Sequence, residues 1–451
     1  MSTTRQTNHF PFEHLSDIFR VSKYFYRRKA LSFINEHLQV KRNLVIMWFA
    51  NFLISGSITM VLPFISLYVA SLGDFSDAYV QNWSGWIFGI TFLTAFIFSP
   101  IWGRYGDKHG RKKLLIMFAL GLGLSILLMG FATTVWELFF LRLFMGVFTG
   151  FIPMSQALIA TQTPKHVAGR LLGTLQTGGI TGTLMGPLIG GVLADTFGYE
   201  AAFKWTSVAI FLSAVIVLIG IKEIRPQRTD EVDTRDYSSK EVIMHIIKHP
   251  VLLVVMLIST LVQVAHFSIQ PILSLYVSTL NGVTSLAFFS GMAFSAAGLG
   301  NLVMTRTWGK LGDRIGYIKI IIGLLFMAGI VYLPAAFVTH VWQLIIIRFL
   351  LGISIGGIVP LRIAYIRQQA PLSMQGEVLG YNTSLRFLGN VIGPAFGGMI
   401  SGWYGFSAVF FVTSGLLLAS GCIMLIVHHK YHYRKKPSKR YPFTRRIKES
   451  H

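Results

Sequence analysis

The sequence contains one charged, glycine-rich loop twice, and this repeat limits the folds that the chain can adopt. GRYGDKHGRKK occupies 103–113 and GKLGDRIGYIK occupies 309–319, each directly after a tryptophan. The run VWELFFLRLFMG from Val135 returns as VWQLIIIRFLLG from Val341. Matches in the same order, at a nearly constant separation, predict that the chain consists of two halves with one fold.

Long apolar segments between these loops predict a helical membrane protein. Of 451 residues, 53% are hydrophobic and 13% charged, which is too little polar surface for a soluble globule of that size. A helix needs about 20 residues to cross the hydrocarbon layer, and it satisfies its own backbone groups there. We predict an all-α fold with two pseudo-symmetric bundles of six transmembrane helices. The twelve spans lie near 43–72, 80–103, 114–133, 137–161, 168–194, 202–221, 250–279, 285–308, 317–338, 341–366, 375–400 and 405–428.

The distribution of positive charge predicts the orientation of the chain. The net charge of +22 is concentrated before the first span, in the two repeated loops and after the last span, whereas 73–82 and 131–136 contain no Lys or Arg. This pattern predicts that both termini lie in the cytoplasm, and it argues against a nucleic-acid partner. The predicted regions are a basic N-terminal arm (1–42), a first bundle (43–221), a cytoplasmic linker (222–249), a second bundle (250–428) and a basic tail (429–451).

Motifs for ATP binding, metalloprotease chemistry and cysteine-based metal sites are absent from the sequence. Cys422 is the single cysteine, and no P-loop or HExxH motif occurs. Histidines 428, 429 and 432 lie among Lys and Arg, which favours a basic tail at the lipid surface over a metal site. We therefore predict a protein without enzymatic activity, metal or cofactor.

A few polar side chains within the spans are candidates for a substrate cavity. Polar groups at this depth face the bundle interior or a water-filled cavity, and three of them, from Gln263 to Gln270, share one helical face. A neutral, structural histidine remains an alternative to proton relay at His266. The predicted cavity residues are Asn51, Gln156, Gln263, His266, Gln270, Asn382 and Arg386.

Arg142 and Arg348 occupy matching positions in the fourth and tenth spans. A guanidinium inside the membrane is costly without a partner or water. Each arginine therefore either locks helices together or takes part in functional coupling, and the sequence leaves both alternatives open.

Closely spaced glycines form a stripe on the fifth span and again on the eleventh. Small residues four apart let a neighbouring backbone approach, and a proline within the stripe interrupts the helical hydrogen bonds. We predict a close-packed, kinked hinge here, with plain helix packing as the alternative. Its residues are Gly178, Gly182, Gly186, Pro187, Gly190 and Gly191 in the first half, and Gly393 and Pro394 in the second.

These features resemble the major facilitator superfamily over about 43–428. GRYGDKHGRKK is similar to that family's signature loop between helices 2 and 3, and the second copy is a weaker form between helices 8 and 9. Arg142 falls on the fourth-helix arginine that the family associates with proton coupling. GGITGTLMGPLIGG, from Gly178, resembles the fifth-helix motif of antiporters. Within that superfamily the sequence most resembles the twelve-helix drug:H⁺ antiporters of the PmrA and MdtG type.

The resemblance implies roles for particular residues. Asp107 would latch the cytoplasmic gate against the positive end of helix 11. The implied gating residues are Gly103, Asp107, Arg111, Lys112, Gly309, Asp313 and Arg314. Since no carboxylate stands well inside a span, proton coupling would involve Arg142, Asp107, Glu137, His266 and Arg348.

The predicted function is export of amphipathic small molecules across the cell membrane by alternating access, driven by exchange for protons. Neutral or zwitterionic compounds fit better than strongly cationic ones, since no carboxylate lies mid-membrane. An alternative keeps the fold but carries a lipid-linked or sugar-like molecule, for which Arg362 and Arg386 would be suited. The expected partners are the substrate, protons and membrane lipid, and the expected state is a monomer.

Overall fold

The computed structural model describes residues 39–163, 165–223, 238–371 and 374–434, which are almost entirely helical. Within these ranges the only extended pairing is an isolated bridge between Asn281 and His340. The predicted all-α fold is confirmed. The long helices are α1 Gln39–Ser71, α2 Asp77–His109, α3 Arg111–Met129, α4 Val135–Thr161, α5 Lys165–Phe197, α6 Tyr199–Gly220, α7 Pro250–Ser268, α8 Leu286–Ile315, α9 Tyr317–Tyr332, α10 Val341–Gln369, α11 Gln375–Tyr404 and α12 Phe406–Arg434.

Eleven of these helices are long and apolar enough to cross a membrane, counted over the described residues. The twelfth, α11, has 30 residues but contains Asn382, Arg386 and Asn390. It packs against α2 and α7, so protein shields much of its polar surface from lipid. The twelve predicted spans therefore correspond to these twelve helices, except that the seventh, 250–279, also includes the separate short helix Leu273–Ser278.

The ends of the helices differ from the prediction where the repeated loops begin. The second span was expected to end at residue 103, but α2 continues to His109 and α8 to Ile315. Each helix ends at a glycine with a left-handed backbone, Gly110 (φ 96°) and Gly316 (φ 98°). A side chain would be strained there, so the glycine sets the position of the turn.

Matching hydrogen bonds demonstrate that the two halves share one architecture. In each half, the tryptophan before the repeated loop donates from Nε1 to a backbone carbonyl at 2.8 Å, and a tyrosine hydroxyl also donates to a carbonyl at 2.8 Å. The pairs are Trp102 with Val147, Trp308 with Ile353, Tyr68 with Ala132, and Tyr276 with Ala335. Each half also has its own apolar core, as expected for two bundles.

We expect Trp102→Phe and Trp308→Phe to destabilise the protein by similar amounts. Each substitution keeps an aromatic ring but removes one indole donor, at a cost of about 1 kcal/mol. The check is the unfolding midpoint of each variant in detergent, with the exposed Trp403→Phe as control. A large loss for one tryptophan and none for the other would contradict the equivalence of the two bonds.

A short helix, Ser239–Lys248, lies between the bundles in the chain. Val242 and Ile246 are buried in a small apolar cluster with residues of α7, α10 and α11, while Ile243 and Ile247 are exposed. This linker helix therefore packs one face on the second bundle.

The two bundles contact each other mainly through two helix pairs, α2 with α11 and α5 with α8, and less extensively between Ile65–Ser71 and Leu273–Ser278. Gly85 lies directly against Pro394 O, and Gly291 lies directly against Pro187 O. These contacts are equivalent in the repeat, so the same surface is used twice. We call them together the seam, formed by 78–89 with 391–402 and by 184–195 with 287–298.

At the opposite ends of the same four helices the glycines make no such contact with the other bundle. A Cβ added to any of six glycines there would have nothing within 4 Å among the described residues; they are Gly103, Gly169, Gly173, Gly309, Gly376 and Gly380. The two repeated loops lie at these ends, since α2 and α8 both begin in the seam and end at a loop. We call this side the basic face and the other the seam face.

Candidate functional site

A cavity of about 460 Å³ lies between the two bundles, beyond the seam. Helices α1, α2, α4 and α5 of the first bundle and α7 and α11 of the second contribute to its wall. The lining is mostly apolar and aromatic, with Phe88, Phe92, Trp102, Phe267 and Phe387. Its few polar groups therefore determine how a bound molecule would be oriented. They are Thr91, Ser99, Arg142, Thr149, Thr183, His266 and Gln270.

A second cavity of about 410 Å³ adjoins the first and is more polar on its α1 and α4 side. Asn51 and Gln156, both predicted as cavity residues, line it together with Gln176 and Asn301. The Oδ1 atom of Asn51 is buried without a hydrogen-bond partner among the described residues. Thr183 lines both cavities, so they form one region between the bundles.

Arg142 lies in the wall of the first cavity and is 3% exposed. Its guanidinium carbon lies 5.5 Å from the centroid of the Phe88 ring, and its Nη1 contacts Met145 Sδ at 3.8 Å. The Nε and Nη2 atoms have no hydrogen-bond partner in the described part of the chain. A buried guanidinium with unused N–H donors can bind an anion or a water molecule.

Arg348, the equivalent residue, has a different environment. It is 2% exposed, and its Nε donates to Ala293 O of α8 at 3.2 Å. It is absent from the lining of the two large cavities. Of the two alternatives that the sequence left open, this bond favours helix locking for Arg348, whereas the cavity position favours coupling for Arg142.

The structure separates the three polar residues predicted on one face of α7. His266 and Gln270 line the first cavity, with His266 Nε2 at 3.5 Å from Gln270 Nε2. Gln263 instead faces α11, where its Nε2 donates to Asn390 Oδ1 at 2.8 Å. A helical face wide enough for all three spans both the cavity and the α7–α11 contact, so spacing alone could not separate them.

The polar residues of α11 also lie against α7 rather than on the cavity wall. Asn382 is 2% exposed, and its Oδ1 accepts from Ser259 Oγ at 3.0 Å. Arg386, one turn later, is only partly buried, and it is absent from the lining of the two large cavities. The prediction of Asn382 and Gln263 as cavity residues thus gives way to a structural placement between helices.

The glycine stripes have two distinct neighbours. The stripe of Gly178, Gly182, Gly186 and Gly190 lies against the backbone of α1, within the first bundle, whereas Pro187 and Gly191 lie against α8. In α11, Gly393 lies against α7, and Pro394 lies against α2. Each of these two helices therefore packs against its own bundle with one stripe of residues and against the other bundle with the adjacent stripe. A hinge role remains a prediction.

The repeated loops are held at the basic face by specific bonds. The Nη1 atom of Arg111 donates to Ala157 O at 3.2 Å and to Thr161 Oγ1 at 2.5 Å, near the end of α4. The backbone N–H groups of Arg111 and Lys112 donate to the Glu223 carboxylate at 2.6 and 3.2 Å. Glu223 was assigned only to the linker, so this helix cap was missed; its position directly after the sixth span was the available signal.

The remaining predicted gating residues lie at the same face. Asp107 is in the last turn of α2, and its side chain is outside what the structure describes. Asp313 Oδ1 accepts from Tyr317 Oη at 2.7 Å, where the tyrosine stands at the position of Arg111. Gly103, Gly309 and Arg314 lie in the ends of α2 and α8.

Glu137, predicted for proton coupling, lies at the seam face and caps α4. Its Oε2 accepts from the backbone N–H of Thr133 at 2.7 Å and of Thr134 at 3.3 Å. Gln343 makes the same bonds in α10 without a charge. A neutral residue thus serves the equivalent position, which accounts for Glu137 as a cap.

Asp195, at the end of α5, crosses the seam and was not among the predicted site residues. Its two carboxylate oxygens accept from Ala287 N at 3.0 Å and Phe288 N at 2.8 Å, both in the first turn of α8. The carboxylate of one bundle thus caps a helix of the other, where the positive helix end favours it.

We expect Asp195→Ala to weaken closure of the seam by about 1 kcal/mol, a shift of about fivefold between states. The reason is loss of both cap bonds while the helices themselves are kept. Distances between spin labels on α5 and α8 at the seam face measure the population of the state with a closed seam. Thr196→Ala is the matched control, because its hydroxyl bonds only to its own helix. An unchanged distance distribution in Asp195→Ala would refute the latch.

The structure offers no support for a serine nucleophile or for a metal site among the described residues. GISIG at 352–356 has the spacing of a nucleophile elbow, but Ser354 is buried inside α10 and donates to Leu350 O at 3.0 Å. Among the described residues, no group of three His, Cys, Asp or Glu side chains could hold a metal ion. Histidine 432 lies in a part whose side chains are outside the description.

Comparison with known proteins identifies similar sequences along most of the chain. A model of the Major Facilitator Superfamily matches residues 47–305 and 256–449. The uncharacterized MFS-type transporter YuxJ of Bacillus subtilis is 53% identical over 381 residues, covering 84% of this chain and 97% of that protein. The multidrug resistance protein MdtG of Enterobacter lignolyticus is 44% identical, and MdtG of Escherichia fergusonii is 41% identical; each match covers 84% of this chain and 90% or 92% of the relative.

Solved structures with the same fold are distant in sequence. A bacterial homologue of the human lysosomal transporter Spinster, in an inward-facing and occupied conformation, aligns with a TM-score of 0.72 at 14% identity, covering 87% of this chain and 97% of that one. The peptide transporter POT in complex with sulfate aligns with a TM-score of 0.68 at 16% identity, covering 86% and 94%. At these identities the likeness concerns the fold alone.

Proposed function

This chain belongs to the major facilitator superfamily, and from that premise we propose that it exports amphipathic small molecules in exchange for protons by alternating access. The observation that carries the proposal is a cavity between two equivalent bundles, sealed by backbone contact at the seam and unsealed at the basic face. A rotation that opened the seam and joined the glycines of the basic face would present the same cavity to the other side.

The charge pattern supports the orientation of the protein in the membrane. Lys and Arg are enriched in the loops of the basic face, and the positive-inside rule places such loops in the cytoplasm of a cell membrane. The structure then corresponds to the state that accepts substrate from the cytoplasm. Both chain ends would lie on that side.

The lining supports the substrate class. Aromatic and other apolar residues form most of the wall of the first cavity, and its polar groups are few, which suits molecules with one apolar body and one or two polar groups. The MdtG relatives are named multidrug resistance proteins, in agreement with such cargo.

For proton coupling we propose Arg142 and His266. Both lie in the cavity wall, where a proton on the imidazole or on a water beside the guanidinium would alter binding of substrate. Glu137 has no part in this proposal, because it caps α4 at the surface. Asp107 remains a proposed gating residue at the basic face.

Inside-out vesicles that contain the protein test this function. With the lumen acidified, an amphipathic fluorescent drug should accumulate inside, and its addition should release protons from the lumen. Vesicles without the protein and vesicles treated with nigericin are the controls. Drug accumulation that persists without a proton gradient would refute exchange for protons.

Export or flipping of a lipid-linked or sugar-like molecule is the second candidate, favoured by the buried Arg362 and the neighbouring Arg386. In the same vesicles a fluorescent lipid-linked glycan replaces the drug. Movement of the glycan alone would select this function.

A further inference from the structure

The linker helix, Ser239–Lys248, has two apolar surfaces, and the second bundle covers only one of them. Val242 and Ile246 are buried against that bundle. Three other aliphatic side chains are 43%, 43% and 54% exposed among the described residues, and we call them the apolar row: Ile243, Met244 and Ile247. A contiguous apolar surface of this kind marks contact with another protein or with a membrane. An occupant other than water is therefore expected for the apolar row.

The connection to α7 places the linker helix at the membrane boundary. A single residue, His249, separates it from Pro250, where α7 begins. Since α7 contains no Asp, Glu, Lys or Arg, its first turn already belongs to the apolar part of the span. His249 precedes a proline and has a non-helical backbone (φ −109°, ψ 88°), which prevents the linker helix from continuing straight into α7. The linker helix therefore turns aside at the level where the span enters lipid.

The contacts of the buried side keep the linker helix at this level. Val242 and Ile246 share an apolar cluster with Leu252 and Met256, which lie in the first two turns of α7. The other buried members lie at the end of α10 and the beginning of α11; they are Ile366, Ala370, Met374 and Val378. These are the ends of three long helices at the basic face. The linker helix thus lies beside the spans and does not extend away into solution.

Two exposed lysines flank the apolar row along the linker helix. Lys240 precedes Met244 by four residues and Lys248 follows it by four, so both are its neighbours on the helix surface. The exposed Glu241 lies on the side away from Ile247. A lysine stem can lie along apolar surface while its ammonium group stays at the polar boundary. An apolar row between lysines is typical of a helix that lies in the interface of an anionic membrane.

We propose that the linker helix lies in the surface of the bilayer at the basic face, with the apolar row against acyl chains and with Lys240 and Lys248 on the phosphate groups of anionic phospholipids. Continuity selects the bilayer as the occupant, because the apolar row adjoins the first turn of a span that itself enters lipid. The linker helix also packs on the beginning of α11, a helix of the seam. Its anchoring therefore holds that end of α11 at the membrane surface. The inference goes beyond the proposed export function and does not depend on it.

Spin labels on single cysteines test this position in lipid vesicles. In the Cys422→Ser background, Ile247→Cys carries a label on the apolar row and Glu241→Cys carries one on the other side of the helix. Both native side chains are exposed, so neither change removes a buried contact. Collisions with oxygen, relative to a neutral nickel chelate, should be at least about fivefold more frequent at 247 than at 241, since oxygen partitions into lipid and the chelate into water.

Two other results would overturn the proposal. An oxygen-to-nickel ratio at 247 as low as that at 241 would place the apolar row in water. Low collision rates for both reagents at 247 would place protein over the row, either another part of this chain or a second copy. Ile243→Cys is a second reporter on the row and should give the same result as Ile247→Cys.

Lipid composition tests the two lysines. When phosphatidylglycerol replaces part of the phosphatidylcholine, the oxygen-to-nickel ratio at 247 should rise at least about twofold, because the anionic headgroups attract the flanking lysines. Lys240→Gln/Lys248→Gln should remove most of this rise. Lys204→Gln removes a cation in α6, outside the linker helix, and should leave the rise unchanged. No rise in the parent, or an equal rise in the double variant, would overturn anionic phospholipid as the partner. None of these measurements uses transport, so their failure and that of the export function are distinguishable.

Discussion

Leucine in place of Gly291 will reduce export at least about tenfold while the protein remains inserted in the membrane. A side chain at this position overlaps with Pro187 O and crowds Leu188 N across the seam, both of them backbone atoms of the other bundle. Overpacking of this kind costs about 1–3 kcal/mol. A cost in that range shifts a two-state equilibrium by about 5- to 150-fold, here away from the state with a closed seam.

Accessibility of single cysteines measures this shift. In a Cys422→Ser background, a cysteine placed on the cavity wall should react with a membrane-impermeant reagent from the seam face in Gly291→Leu but not in its parent. Gly85→Leu, the equivalent substitution, should act the same way. Gly323→Leu is the control, because nothing lies within 4 Å of a Cβ at that position.

A substitution at the basic face should have the opposite effect on the equilibrium between the two states. Gly173 lies on α5 where the glycines make no contact with the other bundle, so leucine there has room in this structure and would obstruct only the other state. Gly173→Leu should therefore also reduce export, with the cavity cysteine unreactive from the seam face. Identical reactivity in Gly173→Leu and Gly291→Leu would contradict the assignment of the two faces.

Arg142→Ala will abolish proton-coupled export, whereas Arg348→Lys will mainly lower stability. Arg142 lies in the cavity wall with two unbonded nitrogen atoms, so its loss removes a group that faces substrate or water. We expect the transport rate to fall at least tenfold, which corresponds to about 1.4 kcal/mol or more, while the amount of protein in the membrane is unchanged. Arg348 bonds to Ala293 O, so its replacement should appear as a lower unfolding midpoint.

Two measurements on each variant separate these roles, namely proton-gradient-driven uptake in vesicles and thermal unfolding in detergent. Arg367→Gln, which removes an exposed arginine of α10 outside the lining of both cavities, is the control. Arg142→Ala with normal coupling, or a coupling defect in Arg348→Lys at unchanged stability, would reverse the assignment.

Much of the fold follows from the sequence because its determinants are local. A hydrophobic run of sufficient length specifies each span, and the repeat of 103–113 at 309–319 specifies two equivalent halves. Helix ends were less accurate, since α2 extends beyond the apolar run until Gly110 allows a turn.

The candidate site followed from the sequence only in part. Arg142, His266 and Gln270 do line the cavity, because polar residues in a span avoid lipid. The same rule predicted Gln263 and Asn382 on the cavity wall. Both residues instead avoid lipid by burial between α7 and α11. Asp195 was missed because its partners, the backbone N–H groups of α8, carry no sequence signal and are brought near only by the fold.

A reversible cross-link through the seam tests alternating access most directly. Ala78 and Gly402 suit a disulfide, since a Cβ on Gly402 would lie 3.4 Å from Ala78 Cα. In the Cys422→Ser background, oxidised Ala78→Cys/Gly402→Cys protein should not transport, and reduction should restore transport. Undiminished export by fully cross-linked protein would contradict the account, because the cavity would then empty without opening the seam.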